Sequence, residues 1–328
     1  MNKKLTIYDI AKLSGFSPKT VSRVINGGEN VKESTYVSVM RVVKQYGYTP
    51  NIYARNLSSK ATTNILISIK KVESFPLIWF QTLLDKLLVR CKEAGVNAIV
   101  EYFGDNDKIS DSILSASGSL VDGVVVFYEN HDDVRIDFLK NNKIPFIVFG
   151  KSSDLVYVSN NDYQSLYHLI GELTEQGHEK LWMLMGNEIS VSKERVRGAT
   201  EAIKNQKLPA IDLSVFYDLT TIESVYEFVS THLNFENKPD VIFVSGDEKV
   251  QGLIKACYEK GIQIPTDIAV VGFDNIPMSQ YYTPALSTIS PDYEELSRQL
   301  VERLLAIISG KSQTSIEVPT TFIKRQSS

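Results

Sequence analysis

A chain of 328 residues with 43% apolar and 23% charged side chains has an ordinary globular composition, long enough for two or three domains and too mixed for a disordered or fibrous protein. It holds no apolar run of about eighteen residues and no apolar leader at its N-terminus, so neither a membrane span nor a secretion signal is expected and a cytoplasmic protein is. The net charge of −4 is unevenly spread: residues 1–60 hold ten Lys/Arg against three acids, a net of +7, which leaves −11 on the remainder. A cationic head on an anionic body points to a head that meets phosphate.

In chain order, residues 5–13 form a first short helix, closed by Ser14-Gly15-Phe16. A second follows at once, with Ser17 placed to cap it and Pro18 at the first helical position, where no N–H is lost. Val21, Val24 and Ile25 make one apolar stripe, and Lys19, Thr20, Ser22, Arg23 and Asn26 make the opposite face polar and basic. Helix, glycine turn and polar helix constitute a helix-turn-helix whose second helix reads the DNA major groove. Arg23 can grip a guanine edge with two hydrogen bonds, and Lys19 and Thr20 share the base-reading face. Thr6, Tyr8, Ser17, Ser22 and Asn26 suit phosphate, and Pro18 offers only apolar contact. Residues 33–45 make a third helix, stopped by Gly47, and the expected head core is Ile10, Leu13, Val21, Val24, Val37, Met40 and Val43.

The segment Thr6-Ile7-Tyr8-Asp9-Ile10-Ala11, the reader helix from Gly15 to Asn26, and Tyr46-Gly47-Tyr48-Thr49-Pro50-Asn51 resemble the head of the lactose/galactose-repressor (LacI/GalR) family, and further matches run to the C-terminus. The resemblance implies phosphate contacts at Thr35 and Tyr48. It also places Lys32 where that family usually caps the third helix with Ser or Thr. Residues 51–58, opened by Asn51, are too short a helix to be stable alone in water. In the family such a hinge pairs with its twin in a dimer and wedges a Leu into the minor groove, here Leu57, with Ala54 near the groove floor.

From residue 63 the pattern changes to short apolar strands alternating with helices. Strands are expected at 65–69, 97–102, 123–127, 146–149, 156–158, 180–185, 213–216, 241–244 and 269–271, which indicates parallel sheets covered by helices on both faces. The expected fold is α/β: an all-α head (1–49), a hinge (50–62), and a body of two doubly wound lobes. Lobe one takes 63–161 and 291–315; lobe two takes 162–289 and 316–328, the segment 316–323 returning to it whole. Such a layout resembles periplasmic binding proteins, an architecture the family shares.

The body carries no G-x-G-x-x-G after a strand, no G-x-x-x-x-G-K-[ST] loop and no G-x-S-x-G elbow, so no catalytic residue is assigned. The histidines His131, His168, His178 and His232 lack metal-ligand spacing, and Cys91 and Cys257 lie far apart. Free thiols, no metal and no cofactor are therefore expected. Doubly wound sheets bind ligands at the carboxyl ends of their strands, where Tyr128 stands. The resemblance adds Trp79 and Phe80 as aromatic platforms for a sugar ring, Arg195 of Ser192-x-x-Arg195-x-x-Gly198 as ligand clamp, and Asp274 as hydroxyl acceptor. Asp247 is a further candidate, with helix capping as its alternative. Where the family has Asn-Pro before the aromatics this chain has Leu77-Ile78, and Gly150 stands where many relatives have Asp.

These observations imply a homodimeric repressor that binds a near-palindromic operator and answers to a sugar between its lobes. The rival classes are a regulator driven by a protein partner and a solute-binding protein; the second leaves the cationic head without a purpose.

Overall fold

The computed structural model describes residues 6–25, 31–46, 63–71, 77–104, 107–116, 120–129, 132–205 and 211–328. The chain divides into two units, 1–62 and 63–328. In the first, α1 (Ile7–Ser14), α2 (Pro18–Ile25) and α3 (Glu33–Gln45) enclose a core of Ile10, Ala11, Val21, Val24 and Val39. A capping box starts α1: the Asp9 carboxylate accepts from the Thr6 N–H at 2.7 Å, and Thr6 Oγ1 accepts from the Asp9 N–H at 3.3 Å. Gly15, at φ 73°, ends α1 in the left-handed region and turns the chain into α2. Two expected core residues are on the surface, Leu13 at 46% and Val37 at 49% exposure. Valines at 37, 39, 42 and 43 allow two helical stripes, and α3 buries the one through Val39, Val42 and Val43. Lys32 precedes α3 with no side-chain cap. The hinge at 50–62 lies outside the described residues.

The second unit contains two six-stranded sheets. Sheet one runs β11-β5-β4-β3-β1-β2, built from β1 (Asn64–Lys70), β2 (Asn97–Phe103), β3 (Gly123–Phe127), β4 (Phe146–Phe149), β5 (Tyr157–Asn160) and β11 (Ile316–Val318). Sheet two runs β12-β10-β9-β8-β6-β7, built from β6 (Lys180–Leu184), β7 (Asp212–Phe216), β8 (Val241–Val244), β9 (Ala269–Phe273), β10 (Ser287–Pro291) and β12 (Thr320–Ile323). Every pairing is parallel except that of β10 with β12. Central strands such as β3 and β8 are buried throughout because helices cover both faces, as parallel sheets require. In lobe one, α4 (Leu77–Glu93) and α11 (Tyr293–Ile308) share one core, and α5 (Ile113–Ala116) and α6 (Val134–Asn141) the other. In lobe two, α7 (Asp162–Glu175) and α8 (Ser190–Asn205) cover one face, and α9 (Ile222–His232) and α10 (Val250–Lys260) the other.

The expected lobe boundaries need correction at the C-terminal end. Residues 287–291 are a strand of sheet two, pairing with β9, before the chain crosses to lobe one as α11. The segment 316–323 does not return whole to lobe two: β11 pairs with β5 in sheet one, and β12 pairs with β10 in sheet two. Pro319 separates them, having no N–H for either ladder. Val318 is buried in the lobe-one core, whereas Phe322 packs against the core of lobe two. Cys91 and Cys257 are free and buried, and burial pushes their thiols up to about 11 and about 12.

The pair α7 and α8 shows why the S-x-x-R-x-x-G pattern ends in glycine. A Cβ on Gly198 would fall on the backbone carbonyl of Tyr163, so only glycine lets α8 lie this close to α7. Gly198→Ala is expected to cost about 1–3 kcal/mol through overpacking, read as a lower denaturation midpoint in urea at unchanged m-value.

Candidate functional site

The head presents an outward face to one side of its core. Among its described residues Lys12, Lys19, Arg23, Lys32, Arg41 and Lys44 face only two acids, Asp9 and Glu33. Ser17, Pro18, Lys19 and Arg23 are exposed, and Thr20, Ser22 and Thr35 are half-buried. The first turn of α2 is ordered from within: Ser17 Oγ accepts from the Thr20 N–H at 3.1 Å and lies 2.9 Å from Thr20 Oγ1. Tyr8 is 71% exposed, and Thr6 is also at the surface. Asn26, Tyr48, Asn51, Ala54 and Leu57 lie outside the described residues.

In the body, a cavity of about 380 Å³ opens between the lobes at the carboxyl ends of their strands. One wall is aromatic. Trp79 lies near the start of α4, with its ring 5.8 Å from Phe149 at 31° and 6.2 Å from Tyr128. Tyr128 follows β3 at φ 55°, and a wholly buried arginine secures that turn. Arg135 donates to Ser68 O at 3.1 Å and Phe127 O at 3.0 Å while Asp133 holds its other side at 2.7 Å, so it ties the ends of β1 and β3 together. Its charge is satisfied by carbonyls and one carboxylate, as a buried guanidinium requires.

The opposite wall is polar. Arg195, only 7% exposed, donates from Nε to Asp162 at 2.7 Å and from Nη1 to Ser245 Oγ at 2.8 Å. The guanidinium lies 3.5 Å over the ring of Phe273. Three contacts fix its plane, and Nη2 has no partner among the described residues. Asp274 follows β9 at φ 110°, a region that side chains rarely occupy. Its carboxylate takes no hydrogen bond from a described residue, and burial pushes it well above the usual carboxylate range against the pull of Arg195. Asn160 Oδ1, also on the cavity, is buried without a hydrogen-bond partner. The cavity thus offers two open acceptors, Asp274 and Asn160, and an oriented donor.

Two expected contact residues are elsewhere. Phe80 is 2% exposed and packs edge-on against Phe127 at 5.2 Å, in the core of lobe one. Trp79, one residue earlier, is turned about 100° around the helix, so it flanks the same core and reaches the cavity. Asp247 is fully buried off the cavity, accepting from Ser279 Oγ at 2.5 Å, Thr288 Oγ1 at 2.7 Å and the Ile276 N–H at 3.2 Å. Burial pushes its carboxyl up to about 7, opposed by those bonds. It neither lines the site nor caps a helix; it braces the turn that carries Asp274. Gly272 is required by the same brace, since a Cβ there would fall on the Asp247 carboxylate.

The family described as bacterial regulatory proteins, lacI family, matches residues 6–51, and that described as periplasmic binding protein-like domain matches 170–328. Catabolite control protein A of Priestia megaterium is 30% identical over 297 residues, covering 88% of this chain and 89% of its own. The chain belongs to the lacI family of bacterial regulatory proteins. Its fold matches the lac repressor dimer bound to operator and the anti-inducer ONPF, at TM-score 0.81 and 23% identity over 99% of each chain. It also matches the transcriptional regulator CelR in complex with cellobiose, at TM-score 0.69 and 21% identity over 99% of this chain and 100% of that one.

This lacI-family repressor joins a DNA-binding head to a ligand-binding body. Of the residues expected at the effector site, Trp79, Tyr128, Arg195 and Asp274 line the cavity. Asp162, Asn160, Ser245 and Lys249, which the sequence did not single out, reach the same cavity from other strand ends and loops. The Asp162–Arg195 pair is buried on both sides, at 5% and 8% side-chain exposure. Asp162→Ala strips the buried cation of its counter-charge and is expected to cost about 3–5 kcal/mol. Adding Arg195→Met should recover part of that loss in equilibrium urea unfolding, and a strictly additive double variant would refute the pairing.

Proposed function

We propose that this repressor binds a near-palindromic operator as a homodimer and changes its operator affinity when a sugar occupies the cleft of the body. The observation that carries the sugar reading is the two-sided cavity. An aromatic wall of Trp79, Tyr128 and Phe149 suits the C–H face of a pyranose, and Arg195, Asn160 and Asp274 suit its hydroxyls. The complex of CelR with cellobiose gives the same reading support.

On the DNA, Lys19, Thr20 and Arg23 read base edges. Thr6, Tyr8, Ser17, Ser22, Asn26, Thr35 and Tyr48 hold phosphates, and Pro18 makes apolar contact. Residues 50–62 form the hinge, with Asn51 at its start, Ala54 at the groove floor and Leu57 wedged into the minor groove. For pairing, lobe one offers the edge strand β2 with Tyr102 53% exposed and α4 with Val89 51% exposed. Lobe two offers Tyr258 at 84%, Tyr281 at 71% and Met278 at 48%. Large apolar side chains left this bare are what a partner copy covers. The protein works in the cytoplasm and has no catalytic role. No helix among the described residues is long and apolar enough to cross a membrane.

Operator fragments selected from genomic DNA provide the test. Binding at fixed salt, with and without a panel of sugars, should show one class shifting operator affinity by about 5–150-fold. If no sugar changes operator affinity or melting temperature, the small-molecule switch is wrong for this chain.

A further inference from the structure

A lysine occupies the floor of the cavity. Lys249 ends the turn that follows β8, immediately before α10, and is only 8% exposed. Its ammonium donates to Leu219 O at 2.9 Å and has no carboxylate within ion-pairing distance among the described residues. It lies 3.8 Å from where a Cβ on Gly186, and equally one on Gly246, would stand, and both glycines line the cavity. Asp274 and Glu248 favour its charged form from a distance while Arg195 opposes it, and neither carboxylate is joined to it by a hydrogen bond or an ion pair. Asp162 is committed to Arg195, and the Lys151 ammonium is held between Glu194 at 2.6 Å and Glu317 at 2.9 Å. A buried cation with one neutral partner is costly unless something else completes its shell. Desolvation accordingly pulls the Lys249 ammonium down to about 8.

The α8 helix supplies a second, independent set of donors. It runs Ser190–Asn205, and Ile189, Ser190, Val191 and Ser192 at its start all line the cavity. Ile189 stands where a capping side chain would, and it has no acceptor to give. The N–H groups of Ser190, Val191 and Ser192 have no partner among the described residues. The first turn of a sixteen-residue helix with open amides favours negative charge. Gly186, beside the lysine, is four residues before that turn.

We infer that the effector carries an oxyanion, a phosphate ester or a carboxylate on a sugar, seated between Lys249 and the first turn of α8. This rests on the sugar reading of the cleft and narrows it. The ring lies against the aromatic wall, its hydroxyls meet Asp274 and Asn160, and the acidic substituent completes the lysine's shell.

Matched pairs test it by titration calorimetry on the full chain: glucose, maltose, trehalose and cellobiose, each against its 6-phosphate, and glucose against gluconate and glucuronate. The expected result is that one acidic form binds about ten- to a hundredfold tighter than its neutral parent. Lys249→Met should abolish that preference, and Lys249→Arg should keep part of it, with thermal unfolding showing that both variants are folded. The phosphate and carboxylate arms tell the two acids apart. Neutral and acidic forms binding alike, or a Met variant that keeps the preference, overturns the inference and leaves the sugar reading intact. Binding by none of these sugars removes the sugar reading and the inference with it.

Discussion

Among the described residues, the two lobes of the body meet through polar contacts and share no apolar core. Each sheet keeps its own helices and its own apolar clusters. Across the cleft, Lys151 in lobe one pairs with Glu194 in lobe two at 2.6 Å. The Ile78 N–H at the start of α4 donates to Glu248 at 2.6 Å, and Tyr293 OH donates to the Asp274 carbonyl at 2.8 Å. Contacts of this kind exchange with water at a net cost of about 1 kcal/mol each, whereas parting a buried apolar interface of the same extent would cost many times more. The lobes can therefore separate and close without unfolding, and three chain crossings keep them in register while they do so.

That constraint bears on how the cavity is lined. Trp79, Tyr128 and Asn160 belong to lobe one, while Arg195, Lys249 and Asp274 belong to lobe two. A ligand that needs both walls binds the closed arrangement better than the open one, and that difference in affinity is the most it can shift the equilibrium. Glu248 has a particular position in this scheme. It reaches from lobe two to the amide end of α4, the helix that carries Trp79, and so ties that helix to the opposite wall of the cleft. Burial raises the Glu248 carboxyl above its ordinary value, and the Ile78 hydrogen bond opposes that rise.

Local features were legible in the sequence. The reader helix could be recognised because its cap, its apolar stripe and its basic face all lie within ten residues. Strand and helix alternation likewise gave two doubly wound lobes. Long-range features were not legible. Phe80 sat beside Trp79 in the same motif, but only the packing of α4 on β3 shows which ring turns inward. Asp247 lay in a loop at a strand end, the usual place for a ligand contact, yet the hydroxyls of Ser279 and Thr288, some thirty to forty residues away, draw it into the interior. Lys249 and Asn160 carried no local signal at all. In the segment 316–323, Pro319 was the one available clue to a change of sheet, and a run of β-branched residues on either side concealed it.

Charge reversal at the mouth of the cleft tests most directly whether lobe apposition governs the operator. Glu194→Lys sets an ammonium against Lys151 across the cleft, whereas Glu317→Gln removes only the partner that Lys151 has within its own lobe. Operator affinity, measured without any effector at fixed salt, should move away from the wild-type value by about fivefold or more for Glu194→Lys, and stay near it for Glu317→Gln. Equal operator affinity for Glu194→Lys and the wild type would contradict the account, because the head would then be indifferent to how the lobes meet.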